Sequence, residues 1–457
     1  MVKGDRVYDA MHKPGSFPEL RKAVFDYASE RMDLDPAPLD GPKSREELAQ
    51  LAGQTITETG LGGLEALKLF GDVLAPATIS IDHPNYLSFI PAAPTEASSL
   101  FDLVVSASSI YGGSWTEGAG AVYAENQVLE FLGSECGLPK GCGGVFVQGG
   151  TLGNLSALVT ARDVAQKRLG RKRWAILASE ESHSSLKAVA KVMDIEIVKA
   201  AAPTGSLQKP ELLAALEGAE RDGLEVFAII GTAGTTNFGI VDDLEAIAQV
   251  CKANNIWFHV DGAYGLAGIL SPDHRQLYAG IEHADSFIVD PHKWLFAPFD
   301  ACALVYREPA LARAAHTQHG EYLETLNEKD EFNPSDHAFN LTRRVRGLPL
   351  WFSMATHGVA RYREAIRQNI ALAHQIAEEI RVRDYLRLVR DPQLSVVVFE
   401  RLGWDKSDYD HWSQELLDSG FAFVVPSSHK GRVNTRFAIV NPTTKYEDLV
   451  KILDSME

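Results

Sequence analysis

The feature that most limits the fold is a repeated unit of apolar strand, polar or glycine-containing turn, and helix. The unit occurs at 144–158, at 174–187 and at 225–253. Strands that are apolar along their length are buried on both faces, so the repetition predicts a parallel sheet covered by helices on both sides. Ligands of such sheets bind at the carboxyl ends of the strands. We therefore expect an α/β fold with its functional site at those strand ends.

A lysine stands where one apolar strand ends. The strand at 286–289 precedes Lys293, which is followed by Trp294, Leu295 and Phe296. A lysine held among apolar side chains loses part of the solvation of its charge, so we expect a lowered pKa and a neutral amine able to attack a carbonyl group. A lone lysine at a strand end would by default extend its amine to solvent. The preceding strand favours the chemical role.

That preceding strand, at 255–260, ends on a carboxylate, Asp261, which is followed by small residues. A carboxylate at the end of a buried strand is costly unless it meets a cation. The protonated ring nitrogen of pyridoxal phosphate is such a cation, and its proton makes the ring an electron sink. An acid and an amine at the ends of consecutive strands therefore indicate this chemistry more specifically than either residue alone.

A glycine turn joins the strand at 144–147 to the helix that follows it. Glycine lets the backbone approach an anion closely, and the amides and dipole of a helix start favour a phosphate there. Gly150 and Thr151 are therefore the predicted phosphate contacts. Turns between strands and helices also use glycine for geometry alone, so this turn is a weak signal by itself.

Four segments together resemble the group II pyridoxal-phosphate-dependent amino acid decarboxylases, the family of aromatic-L-amino-acid and glutamate decarboxylases. They are Gly-Thr-Ala-Gly-Thr-Thr at 231–236, His-Val-Asp-Gly-Ala-Tyr at 259–264, Asp-Pro-His-Lys-Trp-Leu at 290–295 and Arg-Phe-Ala-Ile-Val-Asn-Pro at 436–442. The resemblance implies a fold type I, PLP-dependent transferase-like architecture, with a mainly parallel seven-stranded central sheet and a small α+β C-terminal domain. It also implies pyridoxal 5′-phosphate (PLP) as cofactor and a homodimer.

The resemblance implies roles for individual residues. Lys293 would form the Schiff base with the cofactor, and His183 would stack on the cofactor ring and touch the substrate carboxylate. A histidine at a helix start is otherwise more often a capping or surface residue. The predicted cofactor-binding residues are Gly150, Thr151, His183, Thr236, Asp261, Ala263, His292 and Lys293.

The aromatic segment at 83–91 lines the substrate pocket in the relatives, so Tyr86 and Phe89 are candidate substrate contacts. Together with Trp115 they favour an aromatic or bulky apolar amino acid over glutamate, which would need a further cationic or amide partner. The same aromatic side chains could instead dock the segment onto the core. Arg436 is the candidate for holding the substrate carboxylate, and a structural salt bridge is the equal alternative.

The polar segment 317–342 is predicted to be a mobile lid, with a solvated connection as the alternative. Decarboxylases of the family carry a lid tyrosine that helps protonate the carbanion, and no tyrosine occurs between 326 and 341. Tyr322 lies before that window, and Phe332 and His337 lie within it. His337 is therefore the candidate catalytic proton donor.

The expected reaction is decarboxylation of an L-amino acid to the amine. Relatives with phenylalanine in place of the lid tyrosine let the carbanion react with oxygen, so oxidative decarboxylation-deamination to an aldehyde is the main alternative. Aminotransfer, or another carbon–carbon lyase reaction on the same cofactor, is a further alternative.

The chain is expected to have three parts. Residues 1–83 form an N-terminal helical segment packed on the dimer partner, residues 84–342 form the large cofactor-binding domain with the lid, and residues 343–457 form the small C-terminal domain. The two amphipathic helices expected in the N-terminal segment cannot build a core of their own, so they need a partner.

Charge and composition exclude several functions. The net charge of 44 − 61 = −17 argues against a nucleic-acid or anionic-membrane partner. The sequence has no apolar leader and no run near the ~20 apolar residues of a spanning helix, so a cytoplasmic protein is expected. Its four cysteines include no CxxC pair and no histidine at zinc-ligand spacing, so no metal site is expected.

Overall fold

The computed structural model describes residues 11–13, 15–318 and 331–457. Its centre is a sheet of seven strands: β1 (Gly143–Val147), β2 (Trp174–Ser179), β3 (Glu196–Ala200), β4 (Glu225–Thr232), β5 (Trp257–Asp261), β6 (Ser286–Val289) and β7 (Cys302–Tyr306). The spatial order is β1-β7-β6-β5-β4-β2-β3. Strand β7 is antiparallel to both of its neighbours, whereas the pairs from β6 to β3 are parallel. The mainly parallel seven-stranded sheet is thus confirmed.

Helices surround the sheet and build the two ends of the chain. The α-helices are α1 (Pro18–Met32), α2 (Arg45–Ala52), α3 (Gly63–Leu69), α4 (Glu96–Ser108), α5 (Trp115–Glu135), α6 (Gly150–Leu169), α7 (Ser185–Met193), α8 (Lys209–Arg221), α9 (Leu244–Asn254), α10 (Pro291–Trp294), α11 (Pro309–His316), α12 (Leu348–His357), α13 (Val359–Arg381), α14 (Lys406–Asp418) and α15 (Tyr446–Asp454). Shorter π and 3₁₀ turns occur at Phe70–Leu74, Ala75–Ala77, Gly265–Leu270, Pro272–Tyr278, Ile281–His283 and Pro334–Asp336.

The central strands are apolar on both faces because each face meets a separate core. Ile229 and Ile230 are consecutive residues of β4, both fully buried, and they pack into different clusters on opposite sides of the sheet. Phe287 and Ile288 on β6 divide in the same way. This double burial explains why the strands read as continuous apolar runs, and it leaves their carboxyl ends as the place for polar chemistry.

The C-terminal part has its own sheet of four antiparallel strands, β8 (Leu386–Leu388), β9 (Val396–Arg401), β10 (Pro426–His429) and β11 (Arg432–Ala438), in the order β10-β11-β9-β8. Helix α13 covers it with a stripe of buried residues at helical spacing, including Ala373, Ile376 and Ile380. The small α+β C-terminal unit is therefore confirmed.

The N-terminal helices are built differently. Ser44 and Glu47 form a capping box at the start of α2. Helices α1, α2 and α3 nevertheless have no buried residue, and Phe17 and Phe25 are more than half exposed. Within the described residues, no helix has the length and apolar character needed to cross a membrane.

Candidate active site

The register of the parallel strands brings the predicted acid and amine together. Asp261, the last residue of β5, is paired with Ile288 of β6 on one side and with Thr232 of β4 on the other. Strand β6 ends one residue after Ile288, and α10 then carries Lys293. Because the strands run in the same direction, their carboxyl ends open onto the same space.

That space is a cavity of about 520 Å³. It is lined by all eight predicted cofactor-binding residues: Gly150, Thr151, His183, Thr236, Asp261, Ala263, His292 and Lys293. These residues come from loops or helix starts that follow five different strands of the sheet. The carboxyl edge of the sheet, where the sequence predicted the functional site, is therefore lined by one continuous pocket.

Lys293 lies in this pocket with its side chain 25% exposed, and its Nζ is 2.9 Å from Oδ2 of Asp290. Burial lowers the pKa of Lys293, but the carboxylates of Asp290 and Asp261 outweigh burial, and the pKa is raised above its ordinary value. The predicted lowering of this pKa is therefore wrong for the chain without cofactor. The lysine is held here as a buried cation.

The apolar neighbours of the lysine turn away from it. Trp294 is fully buried, donates from Nε1 to Asn369 at 3.0 Å and stacks on Tyr264 at 5.3 Å. Leu295 is also fully buried. The short helix α10 therefore directs the adjacent apolar side chains into the core while Lys293 faces carboxylates. This geometry is the reason that the prediction from neighbouring residues failed.

Asp261 is only 5% exposed and is held by donors. Its Oδ2 accepts a hydrogen bond from Nδ2 of Asn154 at 2.9 Å, and its Oδ1 accepts one from the backbone amide of Ala263 at 3.2 Å. Both donors stabilise the ionised form and fix its orientation. A buried, oriented carboxylate of this kind fits the ring nitrogen of PLP.

The glycine turn lies across the pocket, at the start of α6. Gly149 occupies the N-cap position, and no side chain caps this helix. A Cβ at Gly150 would lie 3.2 Å from Ile288, 3.3 Å from Ala263 and 3.3 Å from Asp290. These contacts are tighter than most Cβ contacts, so any larger residue at position 150 would require its neighbours to shift. Helix-start amides without a side-chain cap, at the rim of a pocket, fit a phosphate group.

Two histidines flank the pocket. His183 is exposed on the loop between β2 and α7, and its Nδ1 accepts a hydrogen bond from the amide of Ser185 at 3.2 Å. His292 is buried, its ring lies 4.7 Å from that of Phe299, and burial lowers its pKa. Both imidazoles are thus fixed by local contacts at the cavity wall.

The predicted substrate contacts lie outside this cavity, in a second cluster. Tyr86 is buried with its ring 4.9 Å from that of Phe423, and Phe89 is 59% exposed. Arg436 donates from Nη2 to the carbonyl of Phe89 at 3.3 Å. Tyr264 connects the two clusters, because it lines the cavity and lies within electrostatic range of Arg436.

His337 does not line the cavity either. It is 3% exposed, its ring stacks on Phe332 at 4.3 Å, and its Nδ1 lies 3.0 Å from the carbonyl of Asn333. Burial lowers its pKa to about 4, so the ring is neutral at neutral pH. The geometry gives no support to a proton-donating role, which stays a prediction. Tyr322 falls outside the described residues.

Sequence reasoning missed several residues of the cavity. Asn154 and Asp290 hold the two charged groups, and Gln148 and Phe299 complete the wall. Asp290 could have been found, because a carboxylate directly follows a buried strand there, as Asp261 ends β5. Asn154 gave no such signal, since it lies one turn inside a helix.

The chain is similar to known enzymes along most of its length. It is 29% identical over 413 residues to an aromatic-L-amino-acid decarboxylase of Bacillus atrophaeus, covering 88% of this chain and 86% of that protein. It is 27% identical over 412 residues to a phenylacetaldehyde synthase of Petunia hybrida, covering 83% and 81%. A crystal structure of Oryza sativa TDC with PLP and tryptamine shares the fold, with a TM-score of 0.88 at 24% identity over 100% of this chain and 99% of that one.

The pyridoxal-dependent decarboxylase conserved domain matches residues 58–402. This range contains Lys293, Asp261 and the glycine turn at Gly150. The match and the pocket agree on PLP as the cofactor of this enzyme. Enzymes of this kind remove carbon dioxide from amino acids and are lyases. The chain belongs to the pyridoxal-dependent decarboxylase family.

Proposed function

We propose that this enzyme decarboxylates an L-amino acid with an aromatic or bulky apolar side chain to the corresponding amine. The observation that carries the proposal is the position of Lys293 and Asp261 in one cavity, at the ends of neighbouring parallel strands. An amine for the cofactor aldehyde and a carboxylate for its ring nitrogen are what this chemistry requires of a protein.

Different residues of the pocket are suited to hold different parts of the cofactor. Lys293 would bind the cofactor aldehyde, Asp261 would keep a proton on the ring nitrogen, and the amides at Gly150 and Thr151 would receive the phosphate. His183 would lie against the cofactor, while Thr236, Ala263 and His292 would complete the walls. Bound PLP supplies a ring that accepts the electron pair left on the α-carbon when carbon dioxide departs. The protein contributes orientation, because it fixes which bond of the α-carbon lies perpendicular to the ring.

Arg436 is the proposed anchor of the substrate carboxylate. Its Nη1 is buried without a hydrogen-bond partner. Burial lowers its pKa, and among the described residues Tyr264 is the only charged or titratable group that acts on it. A buried guanidinium without a counter-ion is unfavourable, so an incoming carboxylate gains a charge-assisted hydrogen bond there. The structural salt bridge that was the alternative has no partner among the described residues.

The proposed substrate side chain is aromatic or bulky and apolar. Tyr86, Phe89 and Phe423 form an aromatic cluster beside Arg436. Lys293 is the only lysine or arginine among the described residues that line the cavity, so a second carboxylate such as that of glutamate has no evident partner there. The similarity to the aromatic-L-amino-acid decarboxylase of Bacillus atrophaeus supports the same choice.

A second candidate function is oxidative decarboxylation-deamination, in which oxygen is the co-substrate and an aldehyde is formed. Phe332 stands in the window where the family's lid tyrosine is expected, and its neighbour His337 is neutral and buried. Neither side chain is a proton donor at neutral pH. The similarity to the phenylacetaldehyde synthase of Petunia hybrida also favours this candidate.

The deciding experiment measures products. The purified enzyme with PLP is given L-tryptophan, L-tyrosine, L-phenylalanine or L-glutamate, and carbon dioxide, amine, aldehyde, keto acid and hydrogen peroxide are quantified. We expect carbon dioxide and amine in equal amounts from an aromatic substrate. Peroxide and aldehyde in proportion to turnover would replace the first candidate by the second, and keto acid would indicate aminotransfer. Phe332→Tyr, compared with Phe339→Tyr on the same segment, tests whether position 332 controls the product.

We also infer that the enzyme is a homodimer in which the N-terminal helices pack on the partner. Helices α1 to α3 bury no residue within their own chain, and Phe17 and Phe25 are more than half exposed. Leu100, Leu103 and Val104 on α4 are also exposed. Apolar surface of this extent is typical of an interface. Sedimentation at micromolar concentration tests the inference, and a monomer would contradict it.

A further inference from the structure

A chain of buried hydrogen bonds lies behind Asp261. Nδ2 of Asn154 is 2.9 Å from Oδ2 of Asp261, and Oδ1 of Asn154 is 2.9 Å from Nε2 of His259. Nδ1 of His259 is 2.8 Å from Oγ of Ser286, which accepts a hydrogen bond from Nε1 of Trp257 at 2.9 Å. All five side chains are buried, and His259 and Ser286 are completely inaccessible.

The direction of donation along this chain follows from its two ends. The indole of Trp257 can only donate, so Oγ of Ser286 accepts that hydrogen bond, and its own hydrogen and second lone pair are left for Nδ1 of His259. At the other end a carboxylate can only accept, so the amide nitrogen of Asn154 faces Asp261 and the amide oxygen faces His259. The carboxylate end therefore requires a hydrogen on Nε2 of His259, and in a neutral ring Nδ1 then accepts the hydrogen of Ser286.

The second donor position of Asn154 agrees with this assignment. Its Nδ2 also lies 3.3 Å from Oγ of Ser185, another acceptor, so the amide nitrogen has acceptors for both of its hydrogens. Burial lowers the pKa of His259, so the ring is neutral and carries a single hydrogen. That hydrogen is on Nε2, and it holds the oxygen of Asn154 away from Asp261.

We propose that Trp257, Ser286, His259 and Asn154 form a one-way hydrogen-bond chain that keeps Asp261 an oriented carboxylate for the cofactor ring nitrogen. The proposal rests on the proposed role of Asp261 and deepens it. His259 is a positioning residue, since it acts on the ring through Asn154 and Asp261. Without its Nε2 hydrogen, the amide of Asn154 can rotate and present its oxygen to the carboxylate, which is repulsive.

The test uses the holoenzyme loaded with PLP that carries ¹⁵N in its ring, and its first readout is the ¹⁵N NMR signal of that nitrogen. In His259→Leu we expect the signal to move toward the unprotonated value and the affinity for PLP to fall about tenfold to a hundredfold, as for a lost hydrogen bond to a charged group. His259→Gln carries an amide nitrogen near the position of Nε2, so it should keep the signal and affinity close to wild type. His283→Leu, at an exposed histidine, is the matched control.

Each outcome supports or contradicts the proposed hydrogen-bond chain. A folded His259→Leu enzyme with a wild-type ring signal and wild-type PLP affinity would overturn the proposal. If that variant does not fold, Ser286→Ala should give a smaller change of the same sign, and no change in it would also overturn the proposal. Labelled histidine in the unliganded protein gives a check without cofactor, because a hydrogen on Nδ1 of His259 contradicts the assigned direction. Failure of the proposed reaction would appear separately, as a wild-type enzyme that binds PLP and releases no carbon dioxide.

Discussion

The carboxylate of Asp261 on the cofactor side and the guanidinium of Arg436 on the substrate side differ in how well the chain satisfies them. On the cofactor side, Asp261 is 5% exposed and both of its oxygens accept hydrogen bonds. On the substrate side, Nη1 of Arg436 is buried without a partner, and Phe89 is 59% exposed with a φ of +52°. A non-glycine residue in the left-handed region stores local strain. Asp261 is thus satisfied within the chain and Arg436 is not, while Oδ1 of Asp290 and Oγ1 of Thr232 on the cofactor side are also buried without a partner among the described residues.

This difference follows from where the two sides come from. The cofactor side is assembled from the ends of neighbouring strands in one sheet, whose register is fixed by burial on both faces. The substrate side joins the segment 83–91 to the C-terminal sheet, through contacts such as that between Ser88 and Phe423. We infer that the cofactor side is organised before any ligand arrives, whereas the substrate contributes to completing its own side.

The largest effect should come from the amine. Lys293→Ala removes the proposed nucleophile for the cofactor aldehyde, so we expect turnover to fall about 10³-fold or more, within the range for loss of a positioned catalytic group. The visible absorbance of the bound cofactor should also change. Absorbance spectra and carbon dioxide release measure both effects, and Lys187→Ala, at an exposed lysine on α7, is the control. An unchanged visible spectrum in Lys293→Ala would show that this lysine does not bind the cofactor.

The second-largest effect tests whether Asp261 acts through its negative charge. Asp261→Asn keeps the shape and an oxygen for Asn154 but removes the negative charge that faces the ring nitrogen. We expect kcat to fall about 10²- to 10³-fold, the range for removing one preorganised electrostatic partner. Steady-state rates with saturating PLP check this, with the exposed Asp273→Asn as control. A loss of less than about threefold, well below that range, would mean that the cofactor side works by shape rather than charge.

The substrate side should respond differently. Arg436→Met removes the unpaired guanidinium without touching the cavity, so we expect KM to rise about tenfold to a hundredfold, as for a lost charge-assisted hydrogen bond, with the cofactor spectrum unchanged. Arg432→Met lies on the same strand but is exposed and pairs with Glu400, so it should have little effect. If Arg436→Met changed the cofactor spectrum and left KM alone, the division into two sides would be wrong.

The sequence predicted the cofactor side well because its signals are local. The strand at 286–289 has the predicted bounds. Apolar runs followed by Gly150, Asp261 and Lys293 indicated the sheet and its edge without knowledge of any contact. The antiparallel direction of β7 could not be predicted, since an apolar strand shows the same residue pattern in both directions.

The remaining features depend on contacts between distant residues. Ser88 and Phe423 are 335 residues apart, and no periodicity could show that the segment 83–91 packs on the C-terminal sheet. The sign of the pKa change of Lys293 was missed for a different reason: the three apolar residues that follow it were weighed, and Asp290, three residues before it, was not. Composition near a residue therefore predicted its burial but not its electrostatic environment.

The smallest effect we predict concerns the loading of the cofactor. Asp290→Asn removes the carboxylate that does most to raise the pKa of Lys293 against the lowering effect of burial. The pKa of Lys293 should therefore fall. At a pH below that pKa, each unit of decrease raises the neutral fraction of the amine about tenfold. The unliganded variant should therefore bind PLP faster at neutral pH, and the midpoint of its rate against pH should move to lower pH. Stopped-flow absorbance measures both quantities.

Asp300→Asn, on the rim of the same cavity and paired with Arg346, is the control. A midpoint that stays or rises in Asp290→Asn would show that the cofactor side does not hold its lysine through this carboxylate.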